Sequence, residues 1–387
     1  MVAMAAPPQK GAESIQIGRY LKYLTEKFNI ELVTANTPTR GWLAADSTLA
    51  KDGRVQHRVT IKSYSRGWLT KLHRIAGRPA AEERFAESDR QVINRLQLRP
   101  DLIYSRALPH ASTLLAARLK AHFRVPWVLH LSDPWADSAF VTTNRQVHQL
   151  EKSCLAQADR ITLTSEPTVR FYKEKYPELA GKFIFMPNVH DAPAPVPRTA
   201  APAGKITIVH TGNFYGRRNP EALLTVLKSL NKEGCRNGPE FIFAGEADDY
   251  TRKLFRHFNL PQVTYLGSLT LADSLQLQQQ SDVLLVIDKP YEKPTDLLPL
   301  PSKLLDYCAT GKPILALSPE NSATTQFIEK HRLGLCFDYN RLLELKTLLH
   351  QLDSHHSLFN QQPIWPEKYN SRYNAKRQIK IFNKLVT

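Results

Sequence analysis

The chain has 387 residues, 42% of them hydrophobic and 23% charged, a globular composition long enough for two or more domains. No apolar run is long enough to span a bilayer. Four scattered cysteines (Cys154, Cys235, Cys308, Cys336) lack metal-binding spacing and fit a reducing cytoplasm, with Cys308 and Cys336 read as buried free thiols in apolar segments. The net charge of +16 attracts phosphates, whether of nucleic acid, nucleotide-sugars or lipid headgroups, while zinc-finger spacing, a basic-region zipper and an RNP-like aromatic motif are absent.

In chain order, "MVAMAAPPQK" has no basic residue ahead of its apolar part and turns at Pro7-Pro8. It is expected to be the end of a first strand rather than a signal peptide. "ESIQIGRYLKYLTEK" reads as an amphipathic helix. Strands are expected at residues 28–35, 101–105, 126–133, 159–165 and 182–188. "DAPAPVPRTAAPAGK", Asp191 to Lys205, holds little beyond proline and alanine and reads as an interdomain linker. Beyond it, strands are expected at 205–212, 240–246, 262–268, 282–288 and 312–318, with a helix in "NPEALLTVLKSLNKE". Apolar, β-branched strands alternating with helices predict parallel sheets covered on both faces. There are too many such units for one sheet, so two doubly wound domains are expected. The chain closes on a helix from Glu367 to Val386 with Ile379, Phe382 and Leu385 on one stripe.

Ligands of doubly wound sheets sit at the carboxyl ends of strands, against helix N-termini. "PSKLLDYCATGKPILAL", Pro301 to Leu317, suits that role. Pro301 and Ser302 open a helix that Gly311 closes, and Asp306 follows Ser302 by four residues on the same face. A phosphate held at the first turn leaves Asp306 roughly 5–6 Å away, in reach of ribose hydroxyls; the competing reading is a solvent-facing carboxylate. In "VHTGNFYGRRNPEALLTVL", Arg217 and Arg218 stand just before a helix start, where a diphosphate meets cations and N–H donors together; the alternative is a solvated loop pair. Gly245 and Gly267 each end a strand, and both could let backbone approach a planar base.

With these residues on the page, the chain resembles glycosyltransferases of the GT-B fold, specifically the large retaining family four. "PSKLLDYCATGKP" is similar to that family's donor helix and "TGNFYGRRNPEALL" to its phosphate loop. "FIFAGE…VTYLGSL…LQLQQQSDVLLVI" follows its strand order, and "PPQKGAESIQIGRYLKYL" resembles its first loop and helix. The resemblance implies two Rossmann-like domains facing a central cleft: residues 1–190 for the acceptor, a linker at 191–204, residues 205–364 for the nucleotide-sugar, and a helix at 365–387 returning to the first domain. It implies donor contacts at Gly11, Gly212, Asn213, Arg217, Arg218, Gly245, Gly267, Ser302, Lys303, Leu304 and Asp306. Arg217 and Arg218 would neutralise the diphosphate, Ser302 and Lys303 would hold it, and Asp133 would line the acceptor side. The sequence departs from the family at three points. The first carboxylate of the Glu-x7-Glu pair falls on Leu298. Asp306 is shorter than the usual Glu. The histidine near "HLSD" falls on Ser132, with His130 close by.

The expected activity is therefore transfer of a sugar from a nucleoside-diphosphate-sugar to a glycan or lipid-linked acceptor in cell-surface polysaccharide synthesis. The resemblance implies retention of anomeric configuration. Cations and helix dipoles are expected to stabilise the leaving diphosphate, with no cofactor and no metal. "SRGWLTKLHRIAGR" sets Trp68, Leu72 and Ile75 at helical spacing among Lys71, Arg74 and Arg78. It reads either as a basic amphipathic stretch docking on an anionic membrane from the cytoplasmic side, or as a core-facing helix with a solvated basic face. The alternative functions are another GT-B enzyme, such as a nucleotide-sugar epimerase, and a basic nucleic-acid-binding protein. Specific nucleic-acid binding is not expected.

Overall fold

The computed structural model describes all residues except 39–43, 50–54, 64–80, 139–143, 192–204, 236–237, 353–363 and 365–366. Trp68, Lys71, Arg74 and Arg78 lie outside the described residues, as does the expected linker beyond Asp191. The chain divides into two compact units, Met1–Asp191 with Lys368–Thr387, and Ala192–Glu367.

The first unit is built on parallel strands β1 (Glu31–Ala35), β2 (His57–Ile61), β3 (Ile103–Ala107), β4 (Trp127–Leu131), β5 (Arg160–Leu163) and β6 (Phe183–Phe185). β1 pairs with β2, and β3 to β6 pair in sequence order. The N-terminal segment joins these two sets: Val2 bridges both Val33 and Ser105, and Val2 N–H donates to the Tyr104 carbonyl at 2.8 Å. The apolar "VAMAA" is thus strand-like, as its composition predicts, and Met4 is fully buried. β3 and β4 are buried at every position, including the polar Ser105, Arg106 and His130. β2 was not expected, because "HRVTI" opens with two polar residues, both only half-buried at the sheet edge.

The last helix, Ser371–Val386, belongs to this unit and packs on Ala12–Leu24. Asn370 caps it by accepting from the N–H groups of Arg372 and Tyr373. Phe382 is its anchor, edge-on to Tyr104 at 5.1 Å and to Phe28 at 5.6 Å. Ile379 and Leu385 flank the same cluster.

The second unit carries β7 (Thr207–Thr211), β8 (Glu240–Ala244), β9 (Val263–Gly267), β10 (Val283–Ile287), β11 (Ile314–Leu317) and β12 (Gly334–Phe337). Their order is β12-β11-β10-β7-β8-β9, and every pairing is parallel. β12 was not expected: it is only four residues long, at the sheet edge, and Cys336 in it is half-buried rather than buried as expected. Phe241, Phe243, Leu285 and Leu227 fill the core between the sheet and its helices. The strand order runs outward from β7 in both directions, so β7 and β10 meet at a topological switch point, where doubly wound sheets bind ligands.

Candidate functional site

The carboxyl end of β7 gathers most of the predicted donor residues. Gly212 follows the strand with φ +151°, and a Cβ there would overlap the Lys303 ammonium. Gly245 follows β8 with φ +144°, and a Cβ there would overlap the Gly212 carbonyl. Only glycine permits this stacking of backbone and lysine. Gly212 N–H donates to Ala244 and Gly245 N–H to Gly267, each at 2.7 Å, so three adjacent strand ends are tied in a row. Asn213 is spent on the neighbouring loop, its carboxamide oxygen accepting from Glu246 N–H at 3.0 Å.

The helix expected to hold the donor spans Lys303–Ala309, with Ser302 at its N-cap position. Ser302 has helical backbone angles and its hydroxyl does not cap. The turn is closed by Leu304 and Leu305 N–H donating to Pro301 and Ser302, each at 3.1 Å. Leu304 is fully buried, and its N–H is bonded to the Pro301 carbonyl. Asp306 is half-buried one turn beyond Ser302. Two side chains pin this helix to β7. Tyr307 accepts from Thr211 N–H at 2.8 Å and donates to its carbonyl at 3.1 Å. Lys303 Nζ lies 3.1 Å from His210 Nε2.

The two arginines part company. Arg218 reaches inward, with Nη2 3.3 Å from Asp288, its guanidinium 5.4 Å over the Tyr215 ring and 20% of its side chain exposed. Asp288 is fixed in turn by the Ser318 hydroxyl at 2.9 Å and by Tyr339, which donates to its carbonyl at 2.5 Å. Arg217 points outward, 61% exposed, and pairs with Glu292. Burial, and then the Arg218 charge, push the Lys303 ammonium down to about 7, against the opposing pull of Asp288. The missing family carboxylate at Leu298 has no substitute in Asp296. That group is taken up by Lys289 at 3.1 Å and by the N–H groups of Glu292 and Lys293 at 3.1 and 3.0 Å.

In the first unit, Gly11 stands at φ +120° ahead of helix Ala12–Leu24. Glu13, in that helix's first turn, accepts from the fully buried Arg106 at 2.6 Å and from the Ser132 hydroxyl at 2.5 Å. Arg106 also donates to Tyr104 at 3.2 Å and lies 5.3 Å from the Tyr20 ring. Asp133 is half-buried immediately after Ser132. His130 is not a group at this surface: it is fully buried in β4 and bonded to Thr162 at 3.0 Å, and burial holds its ring well below the usual histidine range. Nearby, His110 stacks on Trp135 at 4.6 Å and burial pushes it down to about 3.

Glu13, Arg106, His210, Asp288 and Tyr307 were not singled out from the sequence. Arg106 carried a signal, a lone charge inside an otherwise buried strand. The others depend on contacts between distant segments. Among the described residues, Asp137, His148 and Glu151 lie close enough to suggest a metal centre. Lys175 donates to both carboxylates at 2.5 Å, and Tyr172 and Tyr176 donate to Glu151 at 2.6 and 2.7 Å. Protein donors thus already supply positive charge and hydrogen bonds to the cluster.

Two doubly wound parallel α/β units with a C-terminal helix returned to the first define the GT-B fold. The model of the Glycosyl transferase 4-like domain matches residues 27–188, within the first unit. The search of curated proteins found none that matches. Among solved structures, HepE of Anabaena in complex with UDP and glucose is similar over 99% of both chains, with 14% identity and a TM-score of 0.67. The lipopolysaccharide outer core galactosyltransferase WaaB is similar over 99% of both, with 14% identity and a TM-score of 0.60. The UDP-GlcNAc 2-epimerase of Methanocaldococcus jannaschii is similar over 97% of this chain and 98% of that one, with 11% identity and a TM-score of 0.57.

Proposed function

We propose that the chain is a GT-B glycosyltransferase that moves a sugar from a nucleoside-diphosphate-sugar to a glycan or lipid-linked acceptor in cell-surface polysaccharide synthesis, with retention of configuration. The observation that carries the reading is the pair of inward cations, Lys303 and Arg218, at the switch point of a parallel sheet stripped of side chains at Gly212 and Gly245. A leaving diphosphate needs positive charge beside it, and Arg218 together with the protonated form of Lys303 supplies it. Asp306 takes the ribose hydroxyls, and the strand ends at Gly245 and Gly267 take the base. Gly11 and Asp133, on the first unit, serve the sugar and acceptor. No metal or cofactor is required in this scheme.

Retention and the polysaccharide role rest on the resemblance of the donor helix and loop. Docking on an anionic membrane from the cytoplasmic side rests on the sequence pattern around Trp68, Lys71, Arg74 and Arg78. The chain is incubated with a panel of UDP-, GDP- and ADP-sugars, with and without lipid-linked acceptors. Acceptor-dependent release of nucleoside diphosphate supports transfer. Because epimerases share the fold, a change in the sugar of UDP-GlcNAc with no acceptor present would replace transfer with epimerisation.

A further inference from the structure

We infer that His210 is a positioning residue that fixes the Lys303 amine at the diphosphate position, and that a nucleoside diphosphate arriving there draws a proton from solvent. The inference rests on the donor site proposed above. It deepens that reading by assigning a residue that touches no ligand and by coupling the site to pH.

The geometry leaves His210 one arrangement. It is fully buried on β7, and its ring is stacked on Phe214 at 4.6 Å and 17°. Nδ1 lies 2.9 Å from the Leu285 carbonyl. A carbonyl only accepts, so Nδ1 carries the ring proton and Nε2 presents a lone pair. That lone pair meets Lys303 Nζ at 3.1 Å. The lysine is therefore held from behind by histidine and from below by a glycine that has no room for a side chain. The other charged groups acting on it are Arg218, from the loop after β7, and Asp288, from the end of β10. On its own helix, Asp306 acts on Tyr307 and Cys308.

Without ligand, this setting is poor for a second cation. Partial burial and Arg218 outweigh Asp288, and the amine sits at about 7. His210 stays neutral because burial and Lys303 both oppose its charge. A diphosphate brings negative charge to the amine and restores the ammonium, so above pH 7 the proton comes from the buffer. Binding is then weakened by alkali, by up to about tenfold per pH unit until the amine of the complex itself titrates.

The test is calorimetry of UDP binding in Tris and in HEPES from pH 6 to pH 9, on wild type, Lys303→Met, His210→Phe and His210→Gln, with folding checked by circular dichroism. Wild type is expected to show buffer-dependent enthalpies corresponding to proton uptake at pH 8 that vanish near pH 6. Lys303→Met binds more weakly and lacks that uptake, which separates the amine from the terminal phosphate of UDP. Uridine, with no phosphate, gives no uptake. His210→Phe keeps a ring against Phe214 but loses the acceptor, and is expected to weaken UDP about fivefold and to move the pH break. Gln restores an acceptor and most of the affinity. Equal uptake in wild type and Lys303→Met overturns the proton coupling. Unchanged affinity in His210→Phe, or weakening that Gln does not rescue, overturns the positioning role. Absence of binding by wild type to UDP, GDP and ADP alike overturns the donor-site reading, and this inference with it.

Discussion

At the scale of single residues, the two arginines of one dipeptide have different surroundings. Arg218 is oriented by Asp288 and Tyr215, whereas Arg217 is exposed and paired with Glu292. Arg218→Ala is expected to lower kcat/KM by about a hundredfold, in the range of losing one group that stabilises transition-state charge. Arg217→Ala is expected to stay within severalfold of wild type, since exposed ion pairs contribute little. Equal losses in steady-state assays of both variants would remove the distinction. Asp306→Ala is expected to weaken binding of the nucleotide by about 1.5–3 kcal/mol with little change in stability; unchanged affinity in calorimetry rules out the ribose contact.

At the scale of elements, two contacts hold the first unit's distant segments together. The Glu13–Arg106 pair ties the start of helix Ala12–Leu24 to β3, and the arginine is fully buried. Glu13→Gln removes the carboxylate and leaves a buried charge without its counterion. It is expected to cost about 3–5 kcal/mol, read as a shift in the urea midpoint; a change below 1 kcal/mol would mean that the pair is solvated. The C-terminal helix depends on Phe382 in the same way. Phe382→Ala is expected to cost about 3–5 kcal/mol through the cavity it leaves against Phe28 and Tyr104. A domain that unfolds at the same denaturant concentration after this change would show that the helix is not part of its core. The sequence signalled this helix through the spacing of Ile379, Phe382 and Leu385, but it did not say which residues the stripe meets.

For the whole molecule, pH and charge give two further outcomes. A lysine whose folded value lies near 7 binds fewer protons folded than unfolded between pH 7 and its ordinary value near 10.4. Its contribution to stability therefore rises with pH across that window and is most unfavourable below it. In thermal melts of unliganded protein, the gain from pH 7 to pH 9 is expected to be larger for wild type than for Lys303→Met; parallel curves would deny the depressed amine. The net charge of +16 makes surface binding salt-sensitive. Each cation near an anionic surface contributes about 1 kcal/mol, so a Lys71/Arg74/Arg78→Glu triple variant is expected to lose sedimentation with anionic vesicles while keeping its fold. Equal sedimentation defeats membrane docking through that stretch.

The sequence by itself determined the fold class, because apolar strands alternating with helices leave a parallel sheet covered on both faces as the arrangement that buries them. It also marked Pro301–Gly311 and Thr211–Pro220 as candidate ligand segments, whose prolines, glycines and paired arginines are local signals. The short strands β2 and β12 escaped it, since half-buried edge positions do not demand an apolar pattern. Which cation turns inward, why Leu304 faces the core, and how His210 meets Lys303 were decided by tertiary structure alone. Those outcomes depend on residues far apart in the chain, such as His210 with Lys303 and Arg218 with Asp288. A hydrogen bond or ion pair between distant segments leaves no periodicity in the sequence, because only the packed sheet brings its two partners within reach.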